Sequence, residues 1–135
     1  MAMEQINFYL KKFCSDTPDV IGSAVIDIEG VITASVLTHK VDEDLIGGMS
    51  STMLGVGERI SSELMDSELD QVYVRSPNGY VMLNAIGHQA LLLVLATKQA
   101  KLGLLFLEIQ RTAEQLQDVY DSLSSLNNDL PSARP

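Results

Sequence analysis

VDEDLIGGMSSTMLGVGERISSELM, residues 41–65, decides how the chain folds, because it has the period of a helix and is rich in glycine. Leu45, Met49, Met53, Val56, Ile60 and Leu64 recur at spacings of four and three, the pattern of one buried helical face. The same segment carries Gly47, Gly48, Gly55 and Gly57. Each glycine costs roughly 0.8–1 kcal/mol relative to alanine in a helix interior, so about 3–4 kcal/mol together. Gly48, Ser51, Thr52, Gly55 and Ser62 form a second, small-residue face that lets another backbone come close. The expectation is a helix that packs on its own core with the apolar stripe and on a partner with the small one. That points to an interaction module rather than an enzyme.

The helix has clear boundaries. Asp42 is the expected N-cap, Glu43 and Asp44 fall in the first turn where the helix dipole favours acids, and Val41 and Ile46 stand where a hydrophobic staple would be. Upstream, a first helix is expected over about Met3 to Cys14, with Ile6, Leu10 and Phe13 on one face, ending before Pro18. Val20 to Asp27 is apolar on both sides, as an inner strand should be. A turn at Ile28-Glu29-Gly30 leads to a second strand over Val31 to Ser35.

Downstream, Gln71 to Arg75 alternates, with Val72 and Val74 on one side and Gln71, Tyr73 and Arg75 on the other. Ser76-Pro77-Asn78-Gly79 is a hairpin turn, followed by strands over Tyr80 to Ile86 and Ala90 to Ala96. Leu102, Leu105, Ile109, Ala113, Leu116, Tyr120 and Leu123 then keep helical spacing. That last helix is longer than a small sheet can cover, which leaves its end beyond about Leu116 to project or meet a partner. The order helix, two strands, helix, three strands, helix predicts an α+β fold. A five-stranded antiparallel sheet would carry the central helix on one face and the terminal helices on the other. Residues 1–126 form one domain in this reading, and 127–135 a flexible tail.

Composition narrows the function classes. A chain of 135 residues with 46% apolar content suits one globular core. The longest apolar run, Ala90 to Ala96, falls far short of the ~20 residues a membrane helix needs. Neither a basic n-region nor a long apolar h-region opens the sequence, and the single cysteine, Cys14, forms no internal disulfide, so a cytoplasmic location is expected. A net charge of −9, with nine scattered basic residues, argues against a nucleic-acid partner or an anionic membrane surface.

Catalytic groups are sparse. His39 and His88 read as solvated loop histidines, and with one cysteine they make a poor metal set, so no metal or cofactor is expected. Asp42, Glu43 and Asp44 fit a helix N-terminus better than a cation site. Gly55-Val56-Gly57-Glu58-Arg59 lacks the Gly-Lys-Ser/Thr ending of a phosphate loop and sits inside a helix. Arg59 could stabilise phosphoryl transfer in trans, although pairing with Glu58 or Glu63 is the simpler reading. Met49 and Met53 lie on the expected core stripe, while Tyr73 and Tyr80 suit either an interface or cross-strand pairing.

The ordered set VIGSAVIDIEGVITAS at 20–35, LGVGER at 54–59, SPNGYV at 76–81 and the run from Leu92 to Leu105 resembles the Roadblock family over about residues 5–117. That family includes dynein light chains of the Roadblock type and bacterial regulators of Ras-like GTPases. The resemblance implies a profilin-like arrangement and a non-catalytic homodimer. The strand after the central helix would pair with its twin while the two central helices lie side by side. The expected dimer-interface residues are Gly48, Ser51, Thr52, Gly55, Gln71, Tyr73 and Arg75. In the bacterial branch, which the long last helix favours, the dimer binds a Ras-like small GTPase and sometimes speeds its hydrolysis. Asp44, Ser51, Glu58, Arg59 and Ser62 are the candidate GTPase contacts. Two other readings stand beside this one: a small-molecule-sensing PAS-like domain, and a purely structural dimeric adaptor.

Overall fold

A computed structural model of the chain describes residues 2–37 and 42–129, with side chains through Ser124. His39 and Val41, and the tail from residue 130 onward, lie outside the described residues. The elements are α1 (Ala2–Asp16), β1 (Val20–Asp27), β2 (Ile32–Leu37), α2 (Glu43–Met65), β3 (Gln71–Ser76), β4 (Gly79–Ile86), β5 (Ala90–Thr97) and α3 (Leu102–Asp129). One antiparallel sheet has the order β2-β1-β5-β4-β3. β5, apolar from Ala90 to Ala96, lies at its centre, and β2 and β3 are its edges. The α+β class, the strand count and the placement of helices follow the sequence expectation.

Alternation divides the apolar residues of the sheet between two cores. Val25, Met82, Leu92 and Val94 face Ile6, Leu10 and Phe13 of α1 and Leu105, Ile109 and Leu116 of α3. Ala24, Ile26, Leu83, Leu91 and Leu93 face the opposite way, toward Leu54 of α2. Fully burying a leucine- or isoleucine-sized side chain contributes about 1.5–3 kcal/mol, so the core shared with α1 and α3 dominates stability. Ser23 of β1 is a fully buried polar side chain. Its hydroxyl donates to the Leu93 carbonyl at 2.7 Å, which offsets its burial.

Two local details differ from expectation. The second strand starts one residue later and runs to Leu37, because the β1–β2 turn takes Val31. Asp27 Oδ1 accepts there from the Glu29 and Val31 amides at 2.9 and 3.0 Å, and Gly30 sits at φ +90°. The last helix also stays packed beyond Leu116. Val119 is buried and Tyr120 half-buried against the α1–α3 core, so the helix does not leave the body of the protein at Leu116. Burial also raises the Cys14 thiol pKa above its ordinary value.

Candidate partner interface

The helix α2 begins as expected. Asp42 is extended and its carboxylate accepts from the Leu45 amide at 3.1 Å. Asp66 closes the helix in the left-handed conformation, donating its backbone N–H to the Ser61 carbonyl. What reverses expectation is which face meets the sheet. Gly47, Ser50 and Leu54 are the buried residues, and Gly57 continues the same side. A Cβ on Gly47 would lie 1.8 Å from the Gly30 carbonyl oxygen, and one on Gly57 would lie 2.4 Å from Val72 Cγ2. Small residues therefore bring α2 close to its own sheet and turn.

The apolar stripe consequently faces outward. Leu45, Met49, Val56 and Ile60 are 57%, 56%, 54% and 52% exposed, and Leu64 is more exposed still. Only Met53 of the expected core stripe packs partly inward, against the core beneath α2. The reading of Met49 as a core residue is thus corrected. A row of large apolar side chains at helical spacing is left exposed.

Gly48, Thr52, Gly55 and Arg59 share the outward ridge beside this stripe, at helical spacing. Nothing lies within 4 Å of a Cβ built on Gly48 or Gly55. Asp44, Leu45, Gly48, Met49, Thr52 and Met53 line a shallow depression of about 510 Å³. Ser51 departs from that group. It is half-buried toward the β1–β2 turn, and its hydroxyl is buried with no hydrogen-bond partner among the described residues. Arg59 pairs with Glu63 through Nε–Oε1 at 3.1 Å, both side chains being largely exposed. Glu58 and Ser62 border a different cleft of about 600 Å³, which the exposed His88 of the β4–β5 turn also lines.

Alongside α2, β3 has β4 on one side and, among the described residues, no strand on the other. Its side chains divide as the sequence alternates. Gln71 donates through Nε2 to the Phe106 carbonyl of α3 at 3.5 Å, and Tyr73 packs on the Phe106 ring with centroids 5.6 Å apart. Val72 points the other way, against Gly57 of α2. The strand start borders a cleft of about 350 Å³ lined by Asp70, Gln71, Asn84, Phe106, Glu114 and Gln117, among others. Sequence reasoning missed the outward direction of the α2 stripe. The signal that could have found it is the competing series Gly47, Ser50, Leu54, Gly57 and Ser61, which also has helical spacing.

Among the described residues no helix is long and apolar enough to cross a membrane, and no group of three or more His, Cys, Asp and Glu is placed to hold a metal ion. An exposed apolar helix face thus lies beside the edge strand β3 of a helix-flanked antiparallel sheet. The Roadblock/LC7 domain model matches residues 10–96, and the chain belongs to that family. It is 33% identical over 104 residues to the uncharacterized protein MJ0714 of Methanocaldococcus jannaschii, covering 77% of this chain and 87% of that one. Its fold is similar to that of Myxococcus xanthus MglB, with a TM-score of 0.83 at 14% identity, covering 98% of this chain and 95% of that one. The gliding protein MglB of Thermus thermophilus aligns with a TM-score of 0.80 at 16% identity, over 90% of this chain and 92% of that one.

Proposed function

We propose that this protein is a non-catalytic homodimeric regulator or scaffold that binds a cytoplasmic Ras-like small GTPase. The observation that carries the reading is the uncovered apolar stripe of α2 beside the open edge of β3, in a chain of the Roadblock/LC7 family. The edge strand offers unpaired backbone N–H and C=O groups, and the stripe offers apolar area. A second copy would use both at once, with α2 lying beside its twin above the joined sheets. The ridge of Gly48, Thr52 and Gly55, which has open space above it, supports close approach of the twin helix.

The GTPase would dock on the paired helices. Asp44, Glu58 and Ser62 are exposed there, whereas Ser51 is set back by its half-burial. Arg59 forms an exposed i,i+4 pair with Glu63, which ties it only weakly, and any stimulation of hydrolysis is read as ordering of the GTPase's own switch segments. The test is binding of the purified protein to the Ras-like GTPases of its organism, each loaded with GDP or a non-hydrolysable GTP analogue. Binding that prefers one nucleotide state supports a regulator, and equal binding to both supports a scaffold. No binding in either state overturns the GTPase reading and leaves a dimeric adaptor or a small-molecule sensor.

A further inference from the structure

We propose that two copies join β3 to β3 in a single register with Tyr73 on the two-fold axis, so that Arg75 of each copy enters the Asp70–Glu114 cleft of the other. The inference rests on the homodimer reading above and deepens it to residue level.

The register follows from the hairpin. Ser76 pairs with Gly79 across the two-residue loop Pro77-Asn78. The pair that closes such a loop is a hydrogen-bonded one, so Ser76, Val74 and Val72 bond inward to β4. Gln71, Tyr73 and Arg75 therefore turn their backbone N–H and C=O groups to the open edge. A two-fold axis perpendicular to the sheet keeps the α3 side of one copy continuous with the α3 side of the other. Facing residues must then present side chains to the same side, which allows registers centred on Val72, Tyr73 or Val74.

Only the register centred on Tyr73 uses all three outward residues. It sets Gln71 opposite Arg75 of the second copy, Tyr73 opposite Tyr73, and Arg75 opposite Gln71. Centring on Val74 puts Gln71 opposite Pro77, which has no N–H, and centring on Val72 puts Arg75 opposite Leu69, outside the strand.

Charge selects the same register. Arg75 is exposed and makes no hydrogen bond or ion pair among the described residues. It lines one cleft together with Lys98, and that lining includes no carboxylate. The cleft beside Gln71, on the α3 side, is lined by the carboxylates of Asp70 and Glu114 and the amides of Gln71, Asn84, Gln110 and Gln117, with no lysine or arginine. Asn84 is itself more than nine-tenths buried. Its Nδ2 donates to the Ala85 carbonyl at 2.9 Å, which orients the amide and leaves Oδ1 free to accept. A guanidinium with five donors is the complement of that lining.

The test is cysteine cross-linking in a Cys14→Ser background, with sedimentation equilibrium on the same samples. Facing residues of the hydrogen-bonded type have Cα atoms about 5.5 Å apart, within disulfide range, and diagonal neighbours lie roughly 7–8 Å apart, beyond it. Tyr73→Cys should therefore form an interchain disulfide under mild oxidation and Val74→Cys should not. Arg75→Glu should weaken the dimer about tenfold or more at low salt, and adding Asp70→Lys with Glu114→Lys should recover it. Cross-linking through Val74→Cys as fast as through Tyr73→Cys overturns the register, as does a stable dimer in which neither position cross-links. An unchanged dissociation constant for Arg75→Glu overturns the arginine contact alone. A wild-type chain that stays monomeric at high concentration overturns the homodimer reading itself, and the inference with it.

Discussion

Adjacent glycines in α2 should respond in opposite directions to the same added methyl group. At Gly48 an added Cβ meets nothing within 4 Å, so Gly48→Ala should gain the helix preference of alanine, about 0.8–1 kcal/mol. At Gly47 the Cβ would lie 1.8 Å from the Gly30 carbonyl oxygen and 2.8 Å from its carbon. Neither side yields easily. Gly30 is at φ +90° in a turn tied by two hydrogen bonds to Asp27, and Gly47 belongs to a helix anchored by Leu54. The helix must move off the turn by more than an ångström, an overpacking strain of about 3 kcal/mol. Subtracting the propensity gain leaves Gly47→Ala about 2 kcal/mol less stable than wild type, and about 3 kcal/mol below Gly48→Ala. The assay is urea unfolding at fixed protein concentration in an Ile60→Asp background, which removes self-association from the measurement. With a slope of about 2 kcal/mol/M, Gly47→Ala should lower the midpoint by roughly 1 M. Equal midpoints for the two alanine variants would refute the close approach of α2 to the β1–β2 turn.

Ile60→Asp should convert a dimer to a monomer in sedimentation while leaving far-UV circular dichroism unchanged, since Ile60 is half-exposed within its own chain. Loss of helicity would mean that the stripe supports the fold itself. Ser23→Ala should lower unfolding stability by about 1 kcal/mol in urea titration, because the Leu93 carbonyl loses a buried donor. Burial raises the Tyr120 phenol pKa, with a hydrogen bond to Thr33 opposing and the Asp27 charge reinforcing. A phenol raised in the folded state contributes fully below the unfolded value of about 10, and that contribution is lost as pH climbs through the folded value. Stability measured between pH 9 and 12 should thus fall more steeply for wild type than for Tyr120→Phe, and parallel curves would contradict this.

The element order and the two-sided sheet were legible in the residues themselves. Period-2 alternation in Gln71–Arg75, the Asn78-Gly79 turn, the apolar run Ala90–Ala96 and the Asp42 cap each act through neighbours close in sequence. Local geometry is enough to specify them. The side of α2 that meets the sheet was not legible, because two stripes of helical spacing compete in the same residues. One is large and apolar, from Leu45 to Leu64, and the other is small, from Gly47 to Ser61. Pattern reasoning assigns the larger stripe to the core, since burying it removes more apolar area from water.

Tertiary structure decides otherwise for a steric reason. The β1–β2 turn and Val72 of β3 stand where α2 must cross, and only a face carrying Gly47 and Gly57 can come that close. The large side chains are then turned outward, toward whatever covers them. Local sequence signals determined the order of the elements and most of their limits, the start of β2 excepted. Only the packed fold determined which helix face was left exposed, because that outcome depends on the shape of a sheet surface assembled from distant parts of the chain.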